Sequence, residues 1–190
     1  MVILGDSGHA RVVADVARSA GQEVTAMLGH DACTSEVDGV TIPAAVDSPL
    51  FLAIGSNGLR RRMANAIRAR FPEAVFPTLK APSAVVAPDV SLGEGTVVMQ
   101  MACIQTGSAV GSHCIVNTGA VVDHDCRLGD FVHVSPHATL CGGVEVGNGA
   151  WIGAGATVIQ GIKIGANAIV GAGSTVLHHV PANATVYGVV

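Results

Sequence analysis

Aromatic rings and charged side chains are both scarce in this sequence, at 3% and 13% of 190 residues. The hydrophobic share is 49%, carried by small aliphatics beside 24 glycines, which suits a narrow core rather than a globule built on large rings. A basic stripe is missing. The net charge of -4 and a pI near 6.0 argue against nucleic acid as the main partner. Arg60-Arg61-Arg62 is the one basic run, and it reads either as a solvated helix face or as a phosphate contact. No apolar run approaches the ~18–20 residues of a membrane span, and the start lacks a charged region followed by a long apolar one. The expectation is therefore a cytoplasmic chain with no membrane span and no signal peptide. C-x-x-C spacing is also absent. The five cysteines (Cys33, Cys103, Cys114, Cys126, Cys141) read as reduced residues, neither disulfides nor zinc ligands.

What is present is a period of six. From Val86 to Val176 every sixth residue is aliphatic without an insertion: Val86, Leu92, Val98, Ile104, Val110, Val116, Val122 and onward. Two positions before each stands a residue that is usually small, such as Ala102, Ser108, Cys114 or Cys126, and glycine often follows. Six is neither the helical period of 3.6 nor the strand period of 2. It marks a hexapeptide repeat, in which each hexad gives a short strand and a turn and three hexads close a triangular coil of 18 residues. The aliphatics stack inward, and each coil needs a neighbour above and below to pair its backbone. After Val176 the rhythm breaks at Leu177-His178-His179-Val180, and Pro181 is expected to stop it.

Residues 1–80 read differently. Met1–Leu4 is a strand, followed by Gly5-Asp6-Ser7-Gly8-His9-Ala10 and a helix with apolar Val12, Val13, Val16 and Ala17, ended by Gly21. Glu23–Leu28 and Leu50–Ile54 read as strands, with a short one near Val40–Ile42. Leu59–Phe71 is a helix with a stripe at Leu59, Met63, Ala66, Ile67 and the stem of Arg70, and Ala74–Leu79 a further strand. Alternation of strand and helix implies a small parallel α/β domain, with residues 81–190 forming the solenoid. The glycine-rich turn Gly5-x-x-Gly8 serves either as a tight strand-to-helix turn or as an anion site at a helix N-terminus. Gly55-Ser56-Asn57 follows a later strand at the same sheet edge, where open α/β sheets bind ligands, and the two loops together point to a nucleotide site.

The candidate for chemistry is Val122-Asp123-His124-Asp125-Cys126. His124 and Asp125 fall two and three residues after an inward aliphatic, hence on a corner or outer surface. A neutral imidazole takes up a proton near pH 7, and a neighbouring carboxylate fixes its tautomer and stabilises the cation. The alternative is an exposed pair with little role. One coil later stand Gly142 and Gly143, which leave a slot above the histidine, and Ala154 and Ala172 make a shallow wall suited to an extended ligand such as a pantetheine arm. His133 is half a coil from His124, so within one chain the two lie on different sides and meet only between chains. His133 and His137 otherwise read as corner residues packed at such an interface.

The Gly5–Ala10 turn, Ala53-Ile54-Gly55-Ser56-Asn57 with Arg60, the Asn117–Cys126 stretch and the unbroken repeat together resemble the PglD/NeuD-like sugar acetyltransferases. The resemblance implies an N-terminal Rossmann-like α/β domain followed by a left-handed parallel β-helix, assembled as a homotrimer with sites between subunits. It implies acetyl-CoA as cosubstrate, no metal, and N-acetylation of a nucleotide-linked amino sugar, commonly a UDP-4-amino-4,6-dideoxy sugar. By position it makes His124 the general base and Asp125 its acidic partner. His133, Gly142, Ala154 and Ala172 fall where the family binds acetyl-CoA. Ser7, Gly8, His9 and Gly55 fall where it holds the nucleotide sugar, with Asn57 added. The chain departs from the family at Leu28-Gly29-His30-Asp31, where relatives often carry an acidic pair. It departs again at Tyr187-Gly188-Val189-Val190, where the tail usually reads Gly-x-Pro-Ala-Lys/Arg. The expected reaction is direct transfer in a ternary complex. Its rivals are sugar O-acetylation, a γ-carbonic-anhydrase-like zinc enzyme using His113, His133 and His137, and a nucleotide-sugar-binding module without activity.

Overall fold

The computed structural model of the chain describes residues 1–29, 33–37 and 40–190, so His30 and Asp31 lie outside the described residues. The N-terminal unit carries a three-stranded parallel sheet of β1 (Val2–Leu4), β2 (Ala26–Leu28) and β5 (Leu50–Leu52), in the order β2-β1-β5. Ile3 sits between Met27 and Phe51 in register. Strand alternation divides the apolar side chains between two faces. Ile3 and Phe51 join the core of helix α1 (Gly8–Ser19), whereas Leu4, Leu50 and Leu52 join that of helix α2 (Asn57–Arg70). A hairpin of β3 (Ser35–Val37) and β4 (Val40–Ile42) pairs antiparallel beside α2; only its second strand was expected.

Both helices bury most of the expected stripe, with Val12 of α1 and Leu59 of α2 displaced from it. In α1 the buried residues are Ala10, Val13, Ala14, Val16 and Ala17, and Val12 is exposed. Gly21 ends that helix at φ +77°, a conformation that costs glycine nothing. Helix α2 starts two residues early, because the Ser56 hydroxyl accepts the Leu59 N–H at 3.4 Å as an N-cap. Its buried residues are Asn57, Arg60, Met63, Ala64, Ala66 and Ile67, of which Met63, Ala66 and Ile67 were expected. The Arg60, Met63, Ala64, Ile67 spacing is i, i+3, i+4, i+7, and Leu59 lies at the edge. Arg60 is thus neither solvated nor free to meet a phosphate.

The expected strand Ala74–Leu79 is also reassigned. Its last residue alone enters a strand, Leu79–Lys80, which pairs with Val97–Val98 as the first rung of the solenoid. From there two-residue strands stack into three parallel sheets of seven, six and five strands. Neighbouring rungs are one 18-residue coil apart, as in Cys103 with Val121 and Val121 with Thr139. From Val98 to Val176 every inward aliphatic is at most 5% exposed, and each such burial contributes roughly 1.5–3 kcal/mol. Cys114 and Cys126 fill the small inward slot as buried free thiols.

The winding does not stop at Pro181. Val180 bridges to Ile164, Thr185–Val186 pairs with Ile169–Val170, and Thr175 bridges to Val189. Ile169 and Thr185 are 16 residues apart, so the last coil is two residues short. The shortening falls within residues 177–180, where a tighter corner replaces a full one. Pro181 heads the next turn, its carbonyl accepting from Ala184 N–H at 3.3 Å. Residue counting sees a broken rhythm there, but backbone pairing tolerates the shorter corner. Among the described residues no helix is long and apolar enough to cross a membrane.

Candidate active site

Each coil turns its corners through two residues after the inward aliphatic, and the third residue after it takes a left-handed backbone. After Val122 that residue is Asp125, at φ +58°. A short side chain that bonds locally tolerates this region better than most. The corner is held from both sides: Asp125 N–H donates to Thr106 O at 3.1 Å, and Gly143 N–H donates to His124 O at 2.8 Å. On this fixed corner His124 Nδ1 lies 2.9 Å from Asp125 Oδ2, and both side chains are more than half exposed. The carboxylate accepts, so Nδ1 carries the hydrogen and Nε2 is left as the free acceptor. The Asp125 hydrogen bond first, and the Asp123 charge next, raise the His124 pKa above its ordinary value. Gly142 is what makes room: a Cβ there would stand 2.5 Å from both Cε1 and Nε2 of His124. The structure therefore brings His124, Asp125 and Gly142 together.

His133 lies on another face of the solenoid, in the sheet with Ile115 and Trp151. It is buried, and its ring stacks on the Trp151 indole at 5.5 Å and 5°. Trp151 is exactly one coil further on, and Trp151 Nε1 donates to Ser135 Oγ at 2.7 Å. Asn117 sets the tautomer. Its Oδ1 accepts Thr118 N–H at 2.8 Å, so its Nδ2 is the atom 3.1 Å from His133 Nε2. Nε2 is then an acceptor and the hydrogen sits on Nδ1, on the side of the Gly55 backbone. Burial first, then the positive field of Arg60, pushes the His133 pKa down to about 3. The Gly55 backbone works in the opposite direction. His133, Pro136, Trp151, Ala154 and Ala172 line one largely apolar groove of about 440 Å³. Gly142 stays with His124, away from that groove.

The nucleotide-loop candidates separate in the same way. Ser7 and Gly55 line a cavity of about 200 Å³ at the carboxyl edge of the sheet, together with Asp6, Leu28, Leu59 and Met63. Gly8 opens α1 beside it. His9 is partly buried with no partner on Nε2, and burial, aided by the Arg60 charge, lowers its pKa to about 4. Asn57 does not face the cavity: its Nδ2 donates to Gly149 O and Ala150 O, each at 3.1 Å, and its Oδ1 accepts from Arg60. A larger concavity of about 720 Å³ lies on a third face, but its Lys163 and Glu145 are paired at 3.0 Å and no candidate residue lines it. Among the described residues no three His, Cys, Asp or Glu side chains form a metal-holding group. His113 is instead packed between Phe76 and Phe131. Sequence reasoning missed Trp151, which one-coil arithmetic from His133 would have reached, and it named Asn117 and Arg60 without the roles the structure gives them.

The fold is an α/β domain followed by a parallel β-helix, and the site sits on the solenoid's corners and faces. Two family models match: the PglD N-terminal domain over residues 1–67, and the bacterial transferase hexapeptide (six repeats) over residues 143–178. An X-ray structure of PerB from Caulobacter crescentus in complex with CoA and GDP-perosamine is similar with a TM-score of 0.88. It is 42% identical over 98% of this chain and 93% of that one. The acetyltransferase domain of PglB from Neisseria gonorrhoeae FA1090 in complex with acetyl coenzyme A is 34% identical, with a TM-score of 0.85 over 98% and 95% of the two chains. A GDP-perosamine N-acetyltransferase from Escherichia coli O157:H7 is 34% identical over 100 residues, which are 53% of this chain and 44% of that protein. The matched stretch thus spans less than half of that curated relative. The chain belongs to the PglD-like family of hexapeptide-repeat acetyltransferases.

Proposed function

We propose that this protein transfers the acetyl group of acetyl-CoA to the amino group of a nucleotide-linked amino sugar. The observation that carries the reading is the exposed His124 imidazole, oriented by Asp125 at 2.9 Å, with its free Nε2 over the gap left by Gly142. An imidazole held this way accepts the proton of the attacking amine; such general-base assistance typically contributes about 10²–10⁴ in rate. The amine nitrogen bonds to the thioester carbonyl carbon, the carbon–sulfur bond breaks, and the proton held on His124 passes to the departing thiolate. The transfer is direct, and the buried thiols Cys114 and Cys126 are not used as nucleophiles. The apolar groove along His133, Trp151, Ala154 and Ala172 suits a pantetheine arm.

The acceptor belongs at the cavity of Ser7 and Gly55, with Gly8 and His9 beside it. PerB is in complex with GDP-perosamine, whereas the sequence resemblance points first to a UDP-linked sugar. The base is a matter for the assay. His124 and His133 sit on different faces of one solenoid, so a complete site requires a second copy, which supports a trimer with sites at the contacts. The test is thiol release from acetyl-CoA against UDP- and GDP-linked amino sugars, with the matching hydroxyl sugars in parallel. Turnover confined to amino acceptors supports N-acetylation. Turnover with hydroxyl sugars alone, or with none of the panel, refutes it.

A further inference from the structure

One corner of the solenoid repeats every 18 residues at Gly95, His113, Phe131, Gly149 and Asn167, each with φ between 55° and 71°. At this corner the inter-coil bond runs from the N–H of the corner residue to the carbonyl before the corner below. His113 N–H donates to Glu94 O, Phe131 N–H to Ser112 O and Gly149 N–H to Asp130 O. The carbonyls of the corner residues themselves are left over, and where protein covers them they need other donors. Helix α2 supplies those donors in order. Arg60 Nε donates to His113 O at 2.8 Å and Arg60 Nη2 to Phe131 O at 3.1 Å. Asn57 Nδ2 donates to Gly149 O at 3.1 Å, and Arg61 Nη1 reaches Asn167 Oδ1 at 3.2 Å. At the far end Arg68 grips Glu94 through both carboxylate oxygens, at 2.8 and 2.9 Å.

Arg60 is the centre of this ladder and is 1% exposed. Beyond the two solenoid carbonyls, its Nη1 donates to Ile54 O at 2.7 Å and Gly55 O at 3.3 Å, and its Nη2 donates to Asn57 Oδ1 at 2.9 Å. All five N–H groups of the guanidinium are engaged. One rigid fork therefore spans the Ile54–Gly55 loop that rims the sheet-edge cavity and the Phe131 corner two residues before His133. A lysine, with one nitrogen and three donors, cannot bridge both. We propose that Arg60 is a positioning residue: it sets the spacing between the acceptor loop at Gly55 and His133, and α2 indexes the α/β domain onto the solenoid coil by coil. This rests on the acetyltransferase reading above for what is being positioned.

The experiment compares the intact wild-type protein with Arg60→Lys, Asn57→Ala and Arg62→Ala, the last an exposed arginine of the same helix outside the ladder. Steady-state kinetics give KM and kcat for the nucleotide sugar, calorimetry gives Kd for CoA, and hydrogen exchange follows residues 54–60 and the coils from 97 to 176. Arg60→Lys is expected to lower kcat/KM for the acceptor by on the order of ten- to a hundredfold, the scale of a misplacement near 1 Å. CoA Kd should stay within twofold, and Arg62→Ala should match wild type. Faster exchange at residues 54–60, with the coils unchanged, is the matching structural signature. Acceptor kcat/KM within twofold of wild type, or CoA binding weakened as much as the acceptor, overturns the proposal. If Arg60→Lys does not fold, Asn57→Ala carries the same expectation at a smaller size, and a wild-type acceptor KM there overturns it. Should wild type acetylate no amino sugar, the functional reading fails by itself, and the ladder is then judged on exchange alone, where unaltered protection at residues 54–60 refutes it.

Discussion

Gly142 and Gly143 are adjacent, yet they answer different questions. A methyl group at position 142 would lie 2.5 Å from Cε1 and Nε2 of His124, while comfortable carbon contacts begin near 3.5 Å. The imidazole must retreat by about 1 Å, and because it is exposed it does so at little cost to the fold. That movement pulls Nδ1 away from Asp125 and shifts Nε2 from the position where it meets the amine. A displacement of this size costs about a hundredfold in rate. At position 143 a methyl group meets nothing within 4 Å, but the backbone there has φ +70°. An alanine forced into that region loses about 1–2 kcal/mol. Gly142→Ala should therefore lower kcat about a hundredfold with Tm nearly unchanged, and Gly143→Ala should lower Tm by a few degrees with kcat close to wild type. Thermal unfolding and acetyl-CoA turnover on the same preparations decide it. A Gly142→Ala enzyme with more than half the wild-type kcat would refute the claim that the gap above His124 is the working space of the base.

Three further outcomes follow from the same geometry. His124→Ala should reduce kcat by about 10²–10⁴ while CoA Kd, measured by calorimetry, is unchanged; a wild-type rate would remove the base from the scheme. Catalysis needs the neutral imidazole and Asp125 raises its pKa, so the rate should fall on the acid side through a value above the ordinary one for histidine. Asp125→Asn should move that limb toward lower pH, and a limb that does not move assigns it to another group. His113 is buried between two phenyl rings and its pKa is pushed down to about 4, chiefly by burial. The unfolded chain then binds the extra proton, and stability present above pH ~6.5 is lost as pH falls toward 4, by up to about 3 kcal/mol from this group. His113→Asn, which suits the φ of +55° there, should lower Tm at pH 7.5 but flatten its decline between pH 6.5 and 4.5; an equal slope would refute the assignment.

The solenoid was legible because one residue type recurs at one position in every coil, and a period of six has no other simple reading. The same count placed Gly142 over His124 correctly, since inter-coil register is uniform through that region. It failed at residues 177–180, where the chain drops two residues and the backbone keeps pairing. The α/β domain was legible as alternation and most of its helix stripes were too, but the buried polar residue on α2 was not. Arg60 stood inside a run of three arginines and read as charge, although its spacing to Met63, Ala64 and Ile67 already put it on the apolar side. What the spacing could not show is that two leftover carbonyls of a solenoid corner, with Ile54 O, Gly55 O and Asn57 Oδ1, engage all five donors of a buried cation. Asn57 was misread for a related reason: a polar residue after a glycine loop looks like a ligand contact, and here its amide is spent on Gly149 and Ala150.

The two histidines nearest the chemistry show how one residue type takes two tasks. His124 is exposed, faces two aspartates, and has its pKa raised, so it gains a proton readily when an amine gives one up. His133 is buried, lies in the field of Arg60, and is held neutral far below neutral pH. Asn117 fills its Nε2 and its Nδ1 is buried on the side of the Gly55 backbone, so His133 cannot serve as the base. Environments that drive two like groups in opposite directions are the usual mark of an acid–base assignment. The assignment also explains the split across faces. A base must be wet to exchange its proton, whereas the buried His133 lines an apolar groove on another face. On the proposed reading, the half-site on each copy is completed only against a neighbour.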